Sequence, residues 1–461
     1  MNYEQVRTKA ESALRRAQAP AAAGPAPRVY PLERRVALRN CGRIDPGSID
    51  EYIARCAGYS GFAHALGLGR EGVVAGLLKT GLRGRGGAGY STALKWLSCR
   101  DAQGDVKYAV CNAVDADPRA RTARLLLGGD PHSVLEGLLI GAYATGANHC
   151  FVCTNAAYRE EIATMSEAVL QMRERGLLGD DILESGFSCD ITVREIASSP
   201  VAGEETALIQ ALENRQPLPY LRLDYPAVRG LHGKPTLVNS AETLANVSAI
   251  FQQPSGQRPG SVDGDNTDGR VEMGTKVVTV CGDVARPATV EVLLGTTIGA
   301  LLEATQGPSF SRLDIKAVQF GGPTGAFFAG ASLDTAIAYE DIAAAGSVMG
   351  SGTLRVIGDG GSVCAVEMAR ETMFLLRDQS CGKCAACREG TYQLAGMLDD
   401  IAGFRAKPGD LELMMELCAA MKTGSICGLG RTAPLPLLSS LKLFADDFSA
   451  HIDAGRCPVK G

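Results

Sequence analysis

Little in this 461-residue chain points to a membrane or a nucleic acid. It has five histidines, one tryptophan, no uninterrupted apolar run of the ~18 residues a spanning helix needs, and no long block of like charge. The net charge of −5 is spread over both signs, which excludes a strong electrostatic grip on nucleic acid or an anionic lipid surface. The best candidate for a span, Ser133 to Val152, carries Glu136 and His149. It reads as a buried helix running into a strand, so no direct membrane insertion is expected. The opening residues MNYEQVRTKAESALRR lack the apolar segment of a secretory signal. Fifteen cysteines over this length, without such a signal, read as reduced thiols in a cytoplasm rather than a disulfide framework. With 46% apolar residues the chain is an ordinary globular protein, long enough for about two to four domains.

Against these absences stands one dense motif. Ser380-Cys381-Gly382-Lys383-Cys384-Ala385-Ala386-Cys387 places three thiols at C-x2-C-x2-C spacing, and Cys427 follows on a distant Gly424-to-Gly428 turn. Three closely spaced thiolates can close around three corners of a cubane, with the fourth iron left for a thiolate from elsewhere. The spacing favours a [4Fe–4S] cluster over zinc, for which two separated C-x2-C pairs or added histidines are usual. Neither ligand stretch contains a histidine. A chain holding one such cluster moves electrons. Cys150 and Cys153 also form a C-x2-C pair, but on an apolar strand pattern, where residues three apart face opposite ways and cannot share a metal. Cys41, Cys99 and Cys281 read as small buried hydrophobes.

Residues 1–35 read as an amphipathic stretch followed by an Ala/Pro linker from Ala17 to Pro27. A strand-like Val36-to-Asn40 then opens an α/β region over 36–255. Gln252 to Gly269 is polar and Gly-rich and reads as a loop. Lys276-to-Val284 and Ala288-to-Val292 predict a β-hairpin, and the helix Ile298-to-Thr305 follows it. That order suggests a ubiquitin-like β-grasp module over 270–358. Residues 360–461 read as helical and contain the cysteine motif.

Gly84-Arg85-Gly86-Gly87-Ala88-Gly89 satisfies G-x-G-x-x-G, but the preceding Glu71-to-Leu82 reads as a helix ending near Gly81, not the strand of a dinucleotide fingerprint. The glycines still allow backbone N–H groups to approach phosphate, and Arg85 and Lys95 supply positive charge. The longer segment GRGGAGYSTALKW, Gly84 to Trp96, closely resembles the nucleotide-binding loop of the NADH-oxidising flavoprotein subunit of respiratory complex I. The same family includes diaphorase subunits of NAD-linked hydrogenases and formate dehydrogenases. The resemblance continues through Gly203-to-Leu208, Gly233-to-Asn239, Glu242-Thr243-Leu244, the cysteine motif and Cys427, and covers the chain from about Arg35 onward.

The resemblance implies a Rossmann-like α/β FMN domain, a β-grasp (SLBB-type) domain and a C-terminal helical bundle with the [4Fe–4S] cluster on Cys381, Cys384, Cys387 and Cys427. It also implies that Gly84, Gly86, Lys95, Asn112, Gly203, Glu204, Glu205, Asn239 and Thr243 line the FMN site. Arg85, Gly87, Asp115, Asp117 and Ser240 belong to the same cofactor-binding stretches. Glu205 is placed beside the nicotinamide of NAD(H) as the catalytic candidate. Tyr90 is placed on the adenine, and Arg222 with Tyr225 matches a second aromatic and its basic neighbour. Each has a plainer reading: Glu204-Glu205 as a helix N-terminus favoured by the dipole, Lys95 as a solvated charge, and the tyrosines as core residues. Implied partners are a [2Fe–2S] thioredoxin-like subunit and a larger catalytic subunit of hydrogenase, formate dehydrogenase or complex I-like type. The implied location is cytoplasmic, with membrane association only through partners.

Several positions depart from the family pattern. Val114 stands where an aspartate is typical, Asp115 where a glutamate is typical, and Arg119 where a glycine is typical. Ser98, Pro200 and Ser240 also differ. A carboxylate lost beside the flavin would remove hydrogen-bond acceptors, and Arg119 would be strained if a positive φ were needed there. Arg119 also offers a cation to the 2′-phosphate of NADP. Three readings therefore stay open: an NADH-oxidising electron-entry subunit, a flavin and iron–sulfur relay whose nicotinamide site has decayed, and a structural paralogue without turnover.

Overall fold

The computed structural model describes residues 1–16, 30–197, 199, 201–253, 274–308, 310–358 and 363–459. The sequence readings for the 17–27 linker, for 254–269 and for Pro200 lie outside the described residues.

Up to Phe251 the elements run α1 (Tyr3–Arg16), α2 (Ile49–Cys56), α3 (Ser60–Thr80), α4 (Thr92–Asp101), β1 (Tyr108–Ala113), α5 (Thr122–Gly129), α6 (Pro131–Thr145) and β2 (His149–Asn155), continuing with α7 (Arg159–Glu174), β3 (Asp190–Ile196), α8 (Glu205–Leu212), β4 (Thr236–Ser240) and α9 (Ala241–Phe251). The four strands form a parallel sheet in the order β3-β2-β1-β4. Period-two alternation splits β1 between two cores. Ala109, Cys111 and Ala113 join the larger one, whereas Val110 joins a smaller one with Leu208, Ile209 and Leu212 of α8. Cys150 and Cys153 fall on opposite faces in the same way, as the strand reading requires. Helix α6 is buried on nearly every side, which explains its almost unbroken apolar sequence.

Two expectations change here. The helix read from Glu71 begins at Ser60, and a non-helical Gly69 (φ 70°, ψ 164°) separates its two halves; Gly81 closes it at φ 62°. Val36-to-Asn40 is not a strand. The successive N–H groups of Val36, Ala37 and Leu38 all donate to the buried Glu291 carboxylate, at 2.8, 2.9 and 2.9 Å. A backbone curled around an anion cannot also pair along a sheet.

The hairpin is present as β5 (Thr275–Gly282) and β6 (Ala288–Leu293), followed by α10 (Ile298–Gln306), β7 (Ile315–Phe320), β8 (Phe327–Phe328), α11 (Tyr339–Ala344) and β9 (Thr353–Gly358). The sheet order is β6-β5-β9-β7-β8, with β5 and β9 parallel and the other pairs antiparallel. Ile298, Leu301 and Leu302 of α10 pack in one core with Val278, Val280, Val290 and Val292. The remaining elements are α12 (Ala365–Gln379), α13 (Ala385–Ala402), α14 (Asp410–Gly424), α15 (Gly428–Thr432), α16 (Leu435–Leu443) and α17 (Ala445–Ile452), gathered around a third core. Among the described residues, no helix is long and apolar enough to cross a membrane.

The two sheets are joined by polar contacts. Lys276 Nζ of β5 meets Glu242 Oε2 of α9 at 2.5 Å, and Val277 N–H donates to Glu242 Oε1 at 2.8 Å. The Glu291 contacts add a second tie.

Candidate functional site

Strand order reverses between β1 and β4: β1 leads to β2 on one side, while β4 returns on the other. A crevice opens beyond the C-terminal ends of such neighbours, where side chains leave the sheet unpaired. Asn112 and Ser240 are register partners at that edge, with Asn239 opposite Cys111. A cavity of about 790 Å³ lies there, walled by residues from both sheets and from the helical region. Its size suits a mononucleotide cofactor with a further ligand beside it.

The Gly84–Gly89 loop forms one wall. Gly84 N–H donates to Tyr90 carbonyl at 2.8 Å, and Thr92 N–H donates to Leu82 carbonyl at 3.0 Å, so the loop closes as a narrow hairpin before α4. Gly87 sits at φ 107°, and a Cβ there would come within 2.7 Å of Gly350 carbonyl oxygen. Only glycine fits. Gly84, Gly86, Tyr90 and Lys95 also line the cavity. Arg85 does not. Its guanidinium is buried and donates to Thr275 and Arg83 carbonyls at 2.7 and 2.8 Å, while its N–H donates to Thr243 Oγ1 at 2.9 Å. The expected phosphate cation is instead a strut between the loop and β5.

Asn112 faces the cavity and donates from Nδ2 to Gly203 carbonyl at 2.8 Å. Val114 and Asp115 turn away. Val114 is buried among Val110, Ile196, Ala202 and Val238, so the family's aspartate is missing from an apolar cluster rather than from the cavity wall. Asp115 holds the only positive φ in Asn112–Arg119 (45°), so Arg119 is not strained. Its Oδ2 accepts from Ala123 N–H at 3.1 Å and Tyr158 hydroxyl at 3.3 Å, capping the start of α5 instead of binding a cofactor. Asp117 does reach the cavity and accepts from Ser351 hydroxyl at 2.7 Å. Arg119 is not part of the lining.

Burial pushes the Asp115 carboxyl up to about 6, against the opposing pull of the Arg124 and Ala123 N–H groups and the Tyr158 hydroxyl. A folded-state value above the unfolded one means that the folded chain holds the proton more tightly. This contribution is greatest below the ordinary carboxyl range and is lost as pH rises from about 4 to about 6. Asp115→Asn is expected to flatten that decline by roughly 3 kcal/mol, because the amide oxygen still caps α5 without ionising. Thermal midpoints of both proteins across this range check it; parallel curves would refute it.

Glu204 and Glu205 divide the two roles considered for them. Glu204 caps α8, accepting from Thr206 and Ala207 N–H groups at 2.9 and 3.1 Å, and also lines the cavity. Glu205 opens the helix with its carboxylate in the cavity, paired with Lys95 Nζ and 3.8 Å from Arg222. Lys95 also donates to Val238 carbonyl at 3.1 Å. Arg222 reaches Glu204 at 3.0 Å and lies over the Tyr225 ring at 5.8 Å. Tyr90 and Tyr225 line the cavity yet are 55% and 72% exposed, so neither is a core aromatic. Asn239, Ser240 and Thr243 complete the polar side.

The four cysteines come together. Cys381 and Cys384 occupy the link between α12 and α13, with Cys384 capping α13; Cys387 lies in its first turn, and Cys427 caps α15. Burial raises the Cys427 thiol above its ordinary range, against the opposing pull of the Gly430 and Leu429 N–H groups. Cys387 lies within electrostatic reach of Cys384, Cys427 and Cys381, and its Sγ is 3.4 Å from Ser380 Oγ. Cys427 also lines the 790 Å³ cavity, with Gly428, Leu429 and Thr432. One candidate cluster ligand is thus part of the wall of the candidate flavin chamber.

Sequence reasoning missed the opposite wall. Gly321, Pro323, Thr324, Gly350 and Ser351, from the second sheet, also face the cavity. Their signal was the pair of glycine-rich turns Gly321-to-Gly325 and Gly350-Ser351-Gly352. It also missed the buried Trp96, whose indole N–H donates to Asn239 Oδ1 at 2.9 Å and orients that amide.

Comparison with known proteins follows the same division. Residues 77–249 match the Nuo51 FMN-binding domain, and residues 367–451 match the NADH-ubiquinone oxidoreductase-F iron-sulfur binding region. The chain is similar to the HndC subunit of the NADP-reducing hydrogenase of Solidesulfovibrio fructosivorans, with 40% identity over 425 residues, covering 92% of this chain and 85% of the relative. It is also similar to the F 2 subunit of the NADH-quinone oxidoreductase of Rhizobium meliloti (strain 1021), with 35% identity over 424 residues and coverage of 92% and 99%. Among solved structures, an air-oxidized NAD+-reducing [NiFe]-hydrogenase chain aligns with a TM-score of 0.74 and 28% identity, over 86% of this chain and 65% of that one. This chain therefore spans just under two thirds of that hydrogenase chain.

Proposed function

This chain belongs to the family of the NADH-quinone oxidoreductase F subunits and their hydrogenase counterparts, and we propose that it is the electron-entry subunit of a multisubunit oxidoreductase. It takes electrons from NADH at FMN and passes them singly to a [4Fe–4S] cluster. The observation that carries this reading is Cys427, at once a candidate cluster ligand and a wall of the cavity. When bound, FMN accepts two electrons together and releases them one at a time.

The residues present fit both groups. The glycine loop leaves room for close backbone approach, with Gly87 pressed against Gly350. Asn112, Asn239, Ser240 and Thr243 offer neutral hydrogen-bonding groups on the sheet edge, suited to a flavin and its ribityl chain. Lys95 and Arg222 supply charge; in their pairs with Glu205, each holds that carboxylate in a fixed place beside the nicotinamide position. Tyr90 and Tyr225 offer exposed faces to an adenine. The thiols of Cys381, Cys384, Cys387 and Cys427 match a cubane ligand set in number and softness.

We read residues 36–255 as the FMN and NADH domain, 270–358 as a β-grasp (SLBB-type) domain, and 360–461 as the cluster domain. The parallel β5–β9 pair beside the hairpin, with α10 packed on it, supports the β-grasp reading. Partners of the [2Fe–2S] thioredoxin-like type and a larger catalytic subunit fit a chain whose own relay ends at one cluster. We place it in the cytoplasm, with membrane association only through those partners.

A decayed nicotinamide site is not supported. Of the departures that suggested it, Val114 and Arg119 do not line the cavity and Pro200 lies outside the described residues; the matched relatives are named for NADH or NADP chemistry. Anaerobic titration of the reconstituted chain with NADH, with NADPH beside it, tests the reading. Stoichiometric bleaching of flavin absorbance by NADH is expected. A flavin that dithionite reduces and NADH leaves oxidised would overturn it.

A further inference from the structure

The glycine loop that walls the cavity is gripped from outside by two side chains that do not line it. Tyr339 opens α11 and is 7% exposed, its ring packed in the core of the second sheet with Ile337 and Ile342. Its hydroxyl leaves that core and donates to Gly84 carbonyl at 2.8 Å. The Arg83 guanidinium lies 4.2 Å from the centre of the same ring, a cation–π contact. Arg83 Nε donates to Gly89 carbonyl at 2.6 Å, and its Nη1 pairs with Glu340 Oε1 at 2.5 Å. Ring and loop also touch directly: a Cβ on Gly89 would come within 2.5 Å of the Tyr339 ring.

These contacts fall on the two ends of the loop. In a trans peptide the carbonyl and the following N–H point opposite ways, so tying both fixes the plane. Tyr339 holds the Gly84 carbonyl, while Arg85 N–H donates to Thr243 Oγ1 at 2.9 Å on the other side. Gly84 and Thr243 both face the cavity. At the far end Arg83 holds the Gly89 carbonyl, and Gly84 N–H donates to Tyr90 carbonyl at 2.8 Å. The Tyr90 ring is 55% exposed, so its backbone ties do more than packing to place it. Four of the six residues from Gly84 to Gly89 are glycine, the residue that loses most conformational freedom on folding. Such a loop keeps one shape only if something outside it supplies anchors.

We propose that Tyr339 and Arg83 are positioning residues for the two ligands of the cavity, Tyr339 setting the flavin end of the loop and Arg83 the dinucleotide end. The inference rests on the FMN and NADH reading given above. It makes the second sheet a working part of the site, because the core of that sheet carries the hydroxyl that aligns a loop of the first. Both residues act through the loop backbone.

The test compares Tyr339→Phe and Arg83→Met with wild type, each as the full cluster-loaded chain, with and without FMN. Phenylalanine keeps the ring in its core and removes one oxygen; methionine keeps an apolar stem and removes the donors. Hydrogen–deuterium exchange of residues 84–91 should quicken by about threefold or more in Tyr339→Phe, as for one neutral hydrogen bond, and by about tenfold in Arg83→Met, where the donor is charged. FMN affinity, read from flavin fluorescence, should weaken by about threefold or more in Tyr339→Phe and by less in Arg83→Met. For NADH the order reverses: KM should rise by about tenfold in Arg83→Met while kcat stays within about twofold. If Arg83→Met does not fold, Tyr339→Phe decides alone. Variants that match wild type in exchange, FMN affinity and KM would overturn the proposal, as would a kcat that falls with KM unchanged. Exchange without FMN needs no turnover, so a wild type that NADH leaves oxidised defeats the NADH reading while the grip on the loop is still judged.

Discussion

Cys427→Ser is expected to leave flavin binding nearly intact while the iron–sulfur cluster is lost or distorted. The side chain is buried and caps α15, and serine preserves both its size and the capping geometry. The change therefore acts on ligation and not on folding. Serine is a hard oxygen donor where the cubane favours thiolate. Iron per chain should fall, the EPR spectrum of the reduced cluster should change or vanish, and transfer to a one-electron acceptor should drop by at least about tenfold (~1.4 kcal/mol). NADH should still bleach the flavin. Unchanged iron and an unchanged spectrum would remove Cys427 from the ligand set.

The largest effect on stability is expected from Lys276→Met. Lys276 and Glu242 pair at 2.5 Å with side chains only 1% and 3% exposed, tying β5 to α9. Removing the ammonium leaves a buried carboxylate held by Val277 N–H at 2.8 Å and little else. Breaking a buried pair from one side costs about 3–5 kcal/mol. Lys276→Met/Glu242→Gln should recover part of that, because an amide oxygen can still accept from Val277 N–H without carrying charge. Denaturant or thermal unfolding of wild type, single and double variants decides it. A single variant as stable as wild type would mean that the pair contributes nothing net to the junction of the two sheets.

Local pattern made much of this fold legible. The alternation of Val278, Val280, Val290 and Val292 marked the hairpin, and Gly81 marked the end of α3. The C-x2-C-x2-C spacing pointed to the cluster by itself. What stayed hidden depended on partners far along the chain. Val36-to-Asn40 has the composition of a strand, and only Glu291, 255 residues from Val36, turns its N–H groups inward. Arg85 sits in a phosphate-like loop, yet the carbonyl of Thr275, 190 residues on, captures its guanidinium. Val114 and Asp115 were placed at the flavin from their motif position, but Val114 joins the apolar cluster of Val110 and the Asp115 carboxylate accepts from Ala123 at the start of α5.

The central claim is that electrons entering at the nucleotide cavity leave through the cluster that shares its wall. Freeze-quenched EPR of the reconstituted chain after anaerobic mixing with NADH tests it most directly. The account predicts that a reduced [4Fe–4S] signal grows in as the flavin is reduced, in wild type but not in Cys427→Ser. A wild-type cluster that dithionite reduces but that stays oxidised under excess NADH would contradict it.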